Sequence, residues 1–175
     1  MVKNAINYSL WLRPAQTQID DFAKIISRLA HSYRTMPFPP HITLASGITT
    51  DSDSIKQACV SIIDQTQQID LQLQNIAYTE TYYRNFFVQA ELTQALSKLH
   101  ENTISALAHK TDEVFMPHLS LLYGYLEIET KKNIQKSLEK TCSKLLHCRR
   151  LDLYRTNGKV TDWFLVESYL LKSRI

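Results

Sequence analysis

Hydrophobic residues recur along the chain at two alternating periods. Residues 4–12 place Ile6, Tyr8, Leu10 and Leu12 on one face at period two, which predicts a half-buried strand closed by Pro14. From Thr17 to Tyr33, the positions Ile19, Phe22, Ala23, Ile26, Leu29 and Ala30 return every three or four residues, the stripe of a helix facing a core. Pro37, Pro39 and Pro40 stop that helix and deliver an extended segment, His41 to Ile48. A second helix is predicted over 51–67, with Asp51 or Ser52 as N-cap and Ile55, Ala58, Cys59, Ile62 and Ile63 inside. Strands are predicted over 70–78 and 85–92, then a helix carrying Leu96, Leu99, His100, Ile104 and Leu107 on one face. Pro117 introduces an extended run, His118 to Tyr125, and 131–146 reads as a helix with Ile134, Leu138 and Leu145 inside. Strands 148–155 and 161–171 close the chain as a hairpin, with Asn157-Gly158 as a two-residue turn in which both residues take positive φ.

The predicted order is βαβαβ twice, followed by one strand, so the chain carries a structural duplication with halves of roughly 1–80 and 81–175. No Gly, Ser or Pro linker separates the halves, which predicts one bilobal domain spanning 1–175. The two His-bearing strands are expected side by side around one cleft.

Composition narrows the chemistry. A hydrophobic fraction of 44% and a charged fraction of 21% describe a folded chain. A net charge of +3 gives little support for coating a polyanion. Only three glycines occur, Gly47, Gly124 and Gly158, and no Gly-x-Gly-x-x-Gly turn or phosphate loop can be written from them. A bound phosphate is therefore held by side chains. Cys59, Cys142 and Cys148 are odd in number and lack Cys-x-x-Cys spacing, and the apolar stretch from Ala5 to Leu12 is too short for a membrane span. A cytoplasmic protein without disulfides, signal peptide or membrane helix is expected.

The chemistry concentrates in a repeated pentapeptide, Pro40-His41-Ile42-Thr43-Leu44 and Pro117-His118-Leu119-Ser120-Leu121. On a strand the His and the hydroxyl residue two positions later share a face, while the aliphatic residues between and after them turn to the core. Gly47 and Gly124 each follow their histidine by six residues, where a positive φ or a close backbone approach fits. None of the other four histidines carries the full pattern. From the chain's own residue frequencies, two copies arise by chance on the order of once in ten thousand. A lone His-x-Thr would read as local hydrogen bonding, but the duplication argues for shared chemistry. One imidazole can act as base while its partner, protonated, acts as acid. The hydroxyls can donate hydrogen bonds to a phosphoryl oxygen. That set is equipped to open a cyclic phosphodiester with water and no metal. A two-His zinc site lacks Cys, Asp or Glu at ligand spacing.

These motifs resemble the signature of the two-histidine phosphoesterase superfamily. Pro-His-Ile-Thr-Leu together with residues 116–123, Met-Pro-His-Leu-Ser-Leu-Leu-Tyr, is similar to the plant and fungal cyclic phosphodiesterase branch, and the predicted helix from Glu127 to Lys140 is similar too. The resemblance implies an α+β fold, bilobal and pseudo-twofold, whose duplicated βαβαβ units carry antiparallel sheets lining a central cleft. It implies hydrolysis of nucleoside 2′,3′-cyclic phosphates to 2′-phosphates, and of ADP-ribose 1″,2″-cyclic phosphate to ADP-ribose 1″-phosphate. It also implies His118 as general base, His41 as the acid that protonates the leaving oxygen, and Thr43 and Ser120 as phosphate holders, although the local residues do not fix which histidine takes which role. Ser120 stands where threonine is commoner.

Tyr123 lies in the family-like run and is a candidate to reach the phosphate, although strict alternation sends it to the core face with Leu119 and Leu121. Tyr82, Tyr83, Arg84 and Phe86 are candidates for stacking a base or meeting a phosphate, against a plainer reading as exposed aromatics at a strand start. Trp163 is a similar candidate, and Trp11 reads as core or edge packing. The expected partner is a small cyclic-phosphate nucleotide, with no cofactor, no metal, no membrane and a monomeric chain. Two other readings stay open: an RNA-end or 2′-5′ RNA ligase-like phosphodiesterase, and a non-catalytic module that binds phosphorylated ligands.

Overall fold

A computed structural model describes residues 6–142 and 144–173. The elements are β1 (Tyr8–Pro14), α1 (Gln16–Tyr33), β2 (Ile42–Ile48), α2 (Ser52–Asp64), β3 (Ile69–Tyr78), β4 (Phe86–Ala90), α3 (Gln94–Ala106), β5 (His118–Leu122), α4 (Ile128–Cys142), β6 (Leu145–Arg155) and β7 (Phe164–Leu170), with a 3₁₀ turn at Val160–Asp162. The duplicated βαβαβ order and its extra strand are therefore present. Asn4 and Ala5 of the first predicted strand lie outside the described residues. Among the described residues no helix is long and apolar enough to cross a membrane.

Local chemistry sets most boundaries. Asp51 caps α2 by accepting from the Ser54 N–H at 3.0 Å, and Thr93 caps α3 by accepting from the Leu96 N–H at 3.2 Å. The α1 stripe buries Ile19, Phe22, Ile25, Ile26, Leu29 and Ala30, with Ala23 at its half-buried margin.

The local reading is overridden in three places, twice by tertiary contacts and once by a glycine. α4 starts at Ile128 and ends at Cys142, and Leu145 opens β6 with 45% exposure instead of closing the helix. β3 recruits that segment, pairing Gln72 with Leu145 and Leu71 with Leu146. The final hairpin has no two-residue turn. Arg155 pairs with Phe164, so residues 156–163 form the connection, and of Asn157 and Gly158 only Gly158 has positive φ (+73°). Asn157 instead accepts from the Asn7 N–H through Oδ1 at 2.8 Å, and the Thr156 N–H donates to the Asn7 carbonyl, which ties the loop back to the entry of β1. β5 stops at Leu122, because Gly124 at φ +140° leaves strand geometry.

The strands form a mixed-order sheet, β1-β2-β5-β4-β3-β6-β7, and β6 returns to β1 to close a ring. Every pair of these strands is antiparallel. One edge of the long β6 pairs with β1; its other edge takes β3 near Leu145–Cys148 and then β7 from Arg150 onward. The third strand of each half consequently sits among strands of the other half. α2 and α3 pack on each other and over β2, β6 and β7, whereas α1 lies over β1 and β5 and α4 over β3. One continuous apolar cluster joins these layers. The motif strands β2 and β5 are neighbours through Ile42 and Leu119, both fully buried.

β1 is buried on both faces. Tyr8, Leu10 and Leu12 join the main core, as period two requires. Ser9, Trp11 and Arg13 on the opposite face are buried as well, at 4%, 2% and 6% exposure. That second face is the floor beneath the motifs.

Candidate active site

Antiparallel register carries the Ile42–Leu119 pair one residue each way, which sets His41 opposite Ser120 and Thr43 opposite His118. All four share one face, and all four line a cleft of about 670 Å³. The two histidines are held alike. His41 Nδ1 lies 2.6 Å from the Pro39 carbonyl, and His118 Nδ1 lies 2.8 Å from the Met116 carbonyl, each two residues upstream. A carbonyl can only accept, so each Nδ1 carries its proton and each neutral ring keeps a lone pair on Nε2. The sequence duplication is thus repeated in side-chain geometry.

Burial pushes the His41 imidazole down to about 3; its bond to the Pro39 carbonyl resists that, and Arg13 and His118 add to it. Burial also lowers His118, against its Met116 carbonyl bond, and Arg84 adds to the lowering. Both rings are therefore neutral at pH 7 in the unliganded protein. In the unfolded chain a histidine binds its proton below about pH 6.5, whereas folded His41 does not until near pH 3. The unfolded state then holds more protons, so stability falls as pH drops below about 6.5, by up to roughly 1.4 kcal/mol per pH unit for each such group. Denaturant melts between pH 5 and 6.5 should show this slope in the wild type and a shallower one in His41→Phe; equal slopes would contradict it.

Ser120 is buried, and its Oγ donates to the Tyr83 carbonyl at 3.1 Å. Tyr123 lies one residue past the end of β5, which frees it from strand alternation; it is buried in a small apolar cluster with Ile26 and Phe38, apart from the main core, and from there it lines the cleft. Its ring stacks on Phe38 at 3.6 Å, and burial raises its phenol well above the ordinary range.

Residues 6–171 match the family described as cyclic phosphodiesterase-like protein. The chain belongs to that family. A cyclic phosphodiesterase of Arabidopsis thaliana is 26% identical over 74% of this chain and 71% of its own length. A 2′,3′-cyclic-nucleotide 3′-phosphodiesterase of Neurospora crassa is 28% identical over 62% of this chain, which spans 60% of that protein. Among solved structures, a Thermus thermophilus protein aligns with a TM-score of 0.63 at 12% identity, over 97% of this chain and 100% of that one. Escherichia coli LigT complexed with 3′-AMP aligns with a TM-score of 0.61 at 13% identity, over 97% and 99%. The fold is thus that of the LigT-type two-histidine phosphoesterases, and family membership makes this protein a phosphodiesterase.

The remaining parts of this family member's cleft divide the other candidates. Tyr82, Tyr83, Arg84 and Trp163 line it, while Phe86 is fully buried in the core and away from the cleft lining. The loop bearing the tyrosines is pinned from below: buried Asn85 and Lys131 both donate to the Thr79 carbonyl, at 3.1 and 3.0 Å. Trp11 does more than pack. Its ring stacks on His41 at 3.7 Å and 9° and on Tyr154 at 3.8 Å, covering one face of the imidazole.

Two residues at the site escaped the sequence reading. Arg13 Nη1 donates to the Pro40 carbonyl at 2.5 Å, directly before His41. Its Nε lies 3.1 Å from Asp152 Oδ2, both side chains being at most 7% exposed, without hydrogen-bond alignment, so the contact is an ion pair. Asp152 in turn accepts from Ser168 Oγ at 2.5 Å. A buried cation thus braces the segment that presents His41. Its only sequence signal is that Arg13 follows Trp11 on the same strand face.

Proposed function

We propose that the protein hydrolyses nucleoside 2′,3′-cyclic phosphates to 2′-phosphates without a metal ion, and accepts ADP-ribose 1″,2″-cyclic phosphate as a second substrate. The observation that carries this reading is the pair of imidazoles on adjacent antiparallel strands, each with Nδ1 committed to a carbonyl and Nε2 left for proton transfer. His118 takes a proton from water as its oxygen attacks phosphorus. The P–O3′ bond breaks, and His41 delivers a proton to O3′. Water's two parts end on phosphorus and on the ribose oxygen, and proton exchange with solvent resets the pair. Thr43 and Ser120 donate to the non-bridging oxygens where charge grows; Ser120 must first release the Tyr83 carbonyl. Unliganded His41 resists protonation because of burial and Arg13, so its acid role draws on the negative charge of the bound phosphodiester.

The names of the Arabidopsis and Neurospora relatives support the substrate class. Among the described residues no group of three or more His, Cys, Asp or Glu side chains is placed to hold a metal ion. The test is incubation with 2′,3′-cyclic AMP in chelator, with the products resolved. Full activity giving 2′-AMP is expected. A 3′-AMP product would show that the P–O2′ bond breaks instead and would overturn the 2′-phosphate assignment, and complete loss in chelator would end the metal-free mechanism. Because both free imidazoles are depressed, kcat/KM should follow a bell with its optimum below pH 6.5, and kcat a bell at higher pH. A flat profile from pH 5 to 8 would contradict the acid–base pair.

A further inference from the structure

The register gives the motif quartet two ends. His41 and Ser120 form one, where Tyr83 and Tyr123 stand. Thr43 and His118 form the other, and a second aromatic pair flanks it. His100 from α3 and Phe115 stack face to face, with centroids 3.9 Å apart and planes within 3°. Each is tied to a motif: His100 Nδ1 lies 3.0 Å from the carbonyl of Leu44, the residue after Thr43, and Phe115 precedes Met116, whose carbonyl holds His118. Both rings are half-buried and line the same cleft, together with Ile104 and Glu113.

Opening the phosphate ring requires no platform at this end. The Glu113 carboxylate disfavours another phosphate here, although the His109 imidazole also lines the cleft. The carbonyl-facing Nδ1 of His100 must donate, so in the neutral ring Nε2 is an acceptor. A flat π surface with two acceptors beside it matches a heteroaromatic base with exocyclic N–H groups. A cleft of about 670 Å³ also falls near the middle of the range for small-molecule sites, roughly 300 to 1,000 Å³.

Resting on the cyclic-phosphate reading above, we propose that His100 and Phe115 form a second base-binding subsite, for a base carried on a phosphate-linked extension of the cyclic-phosphate ribose. Two sources supply that chemistry: the adenine of ADP-ribose 1″,2″-cyclic phosphate, and the preceding nucleoside of an RNA end that terminates in a 2′,3′-cyclic phosphate.

The experiment compares three probes: 2′,3′-cyclic AMP, ADP-ribose 1″,2″-cyclic phosphate, and adenylyl-(3′→5′)-adenosine 2′,3′-cyclic phosphate. For each, kcat/KM is measured in the full chain, and Kd by calorimetry in His118→Ala, with and without His100→Ala or Phe115→Leu. Each subsite variant is expected to weaken at least one extended probe about tenfold more than it weakens 2′,3′-cyclic AMP. The probe that responds names the source. Equal weakening of all three, or weakening of none, overturns the subsite. A wild type that turns over none of the probes ends the hydrolytic reading, while the Kd comparison still decides the subsite. Phe115→Leu keeps the His100–Leu44 bond, so the test survives a His100→Ala chain that fails to fold.

Discussion

Replacing either motif histidine by alanine is expected to lower kcat on 2′,3′-cyclic AMP by about 10² to 10⁴, with the protein still folded. Each ring contributes a lone pair on Nε2 that no neighbour replaces: its Nδ1 is held by a backbone carbonyl, at 2.6 Å for His41 and 2.8 Å for His118. The two act in one proton cycle, so the double variant should lose little more than the worse single one. Neither ring is charged in the unliganded protein, and removing one breaks no ion pair. Loss of the Trp11 stack makes His41→Ala the less stable of the two. The checks are single-turnover rates beside thermal melts. A loss below threefold in either folded variant would remove that histidine from the chemistry. A wild type that binds the cyclic nucleotide without turnover, and keeps binding it in both variants, would make the cleft a phosphate-ligand module.

What was legible in the sequence follows from how local each signal is. The quartet was readable because both copies of the motif lie within five residues and the strand period fixes their faces. The duplicated element order was readable because apolar period alone separates strand from helix. The exchange of third strands between halves was not, since β3 and β6 look alike whichever neighbours they take. Tyr123 needed the end of β5, which Gly124 sets and alternation cannot foresee. The Asn157-Gly158 signal misled because the Asn157 side chain is recruited by Asn7, 150 residues away. Leu145 misled because β3 captures it as a strand. Alternation buries one face of β1 and leaves the role of the other open; that second face is the cleft floor, where Arg13 meets a carboxylate on β6.

That ion pair carries the largest expected stability effect. Arg13→Leu leaves the Asp152 carboxylate buried, held by Ser168 but without the Arg13 charge, and Asp152→Asn leaves a guanidinium whose charge burial already disfavours. Breaking a buried pair by removing one partner costs about 3 to 5 kcal/mol, a large share of a typical folding stability of roughly 5 to 15 kcal/mol. Removing both charges in Arg13→Leu/Asp152→Leu should recover most of that loss, because an apolar pair of similar volume avoids the desolvation penalty. Activity should not recover with it. The double variant still lacks the donor to the Pro40 carbonyl, which loosens the segment presenting His41. It also lacks the positive charge that helps to depress His41, so protonated His41 persists to higher pH and the basic limb of kcat/KM should move upward. Denaturant melts together with pH–rate profiles separate the two effects. A double variant as unstable as the singles would show that Arg13 acts through packing, and a stable double variant with an unmoved pH profile would show that the pair does not act on His41.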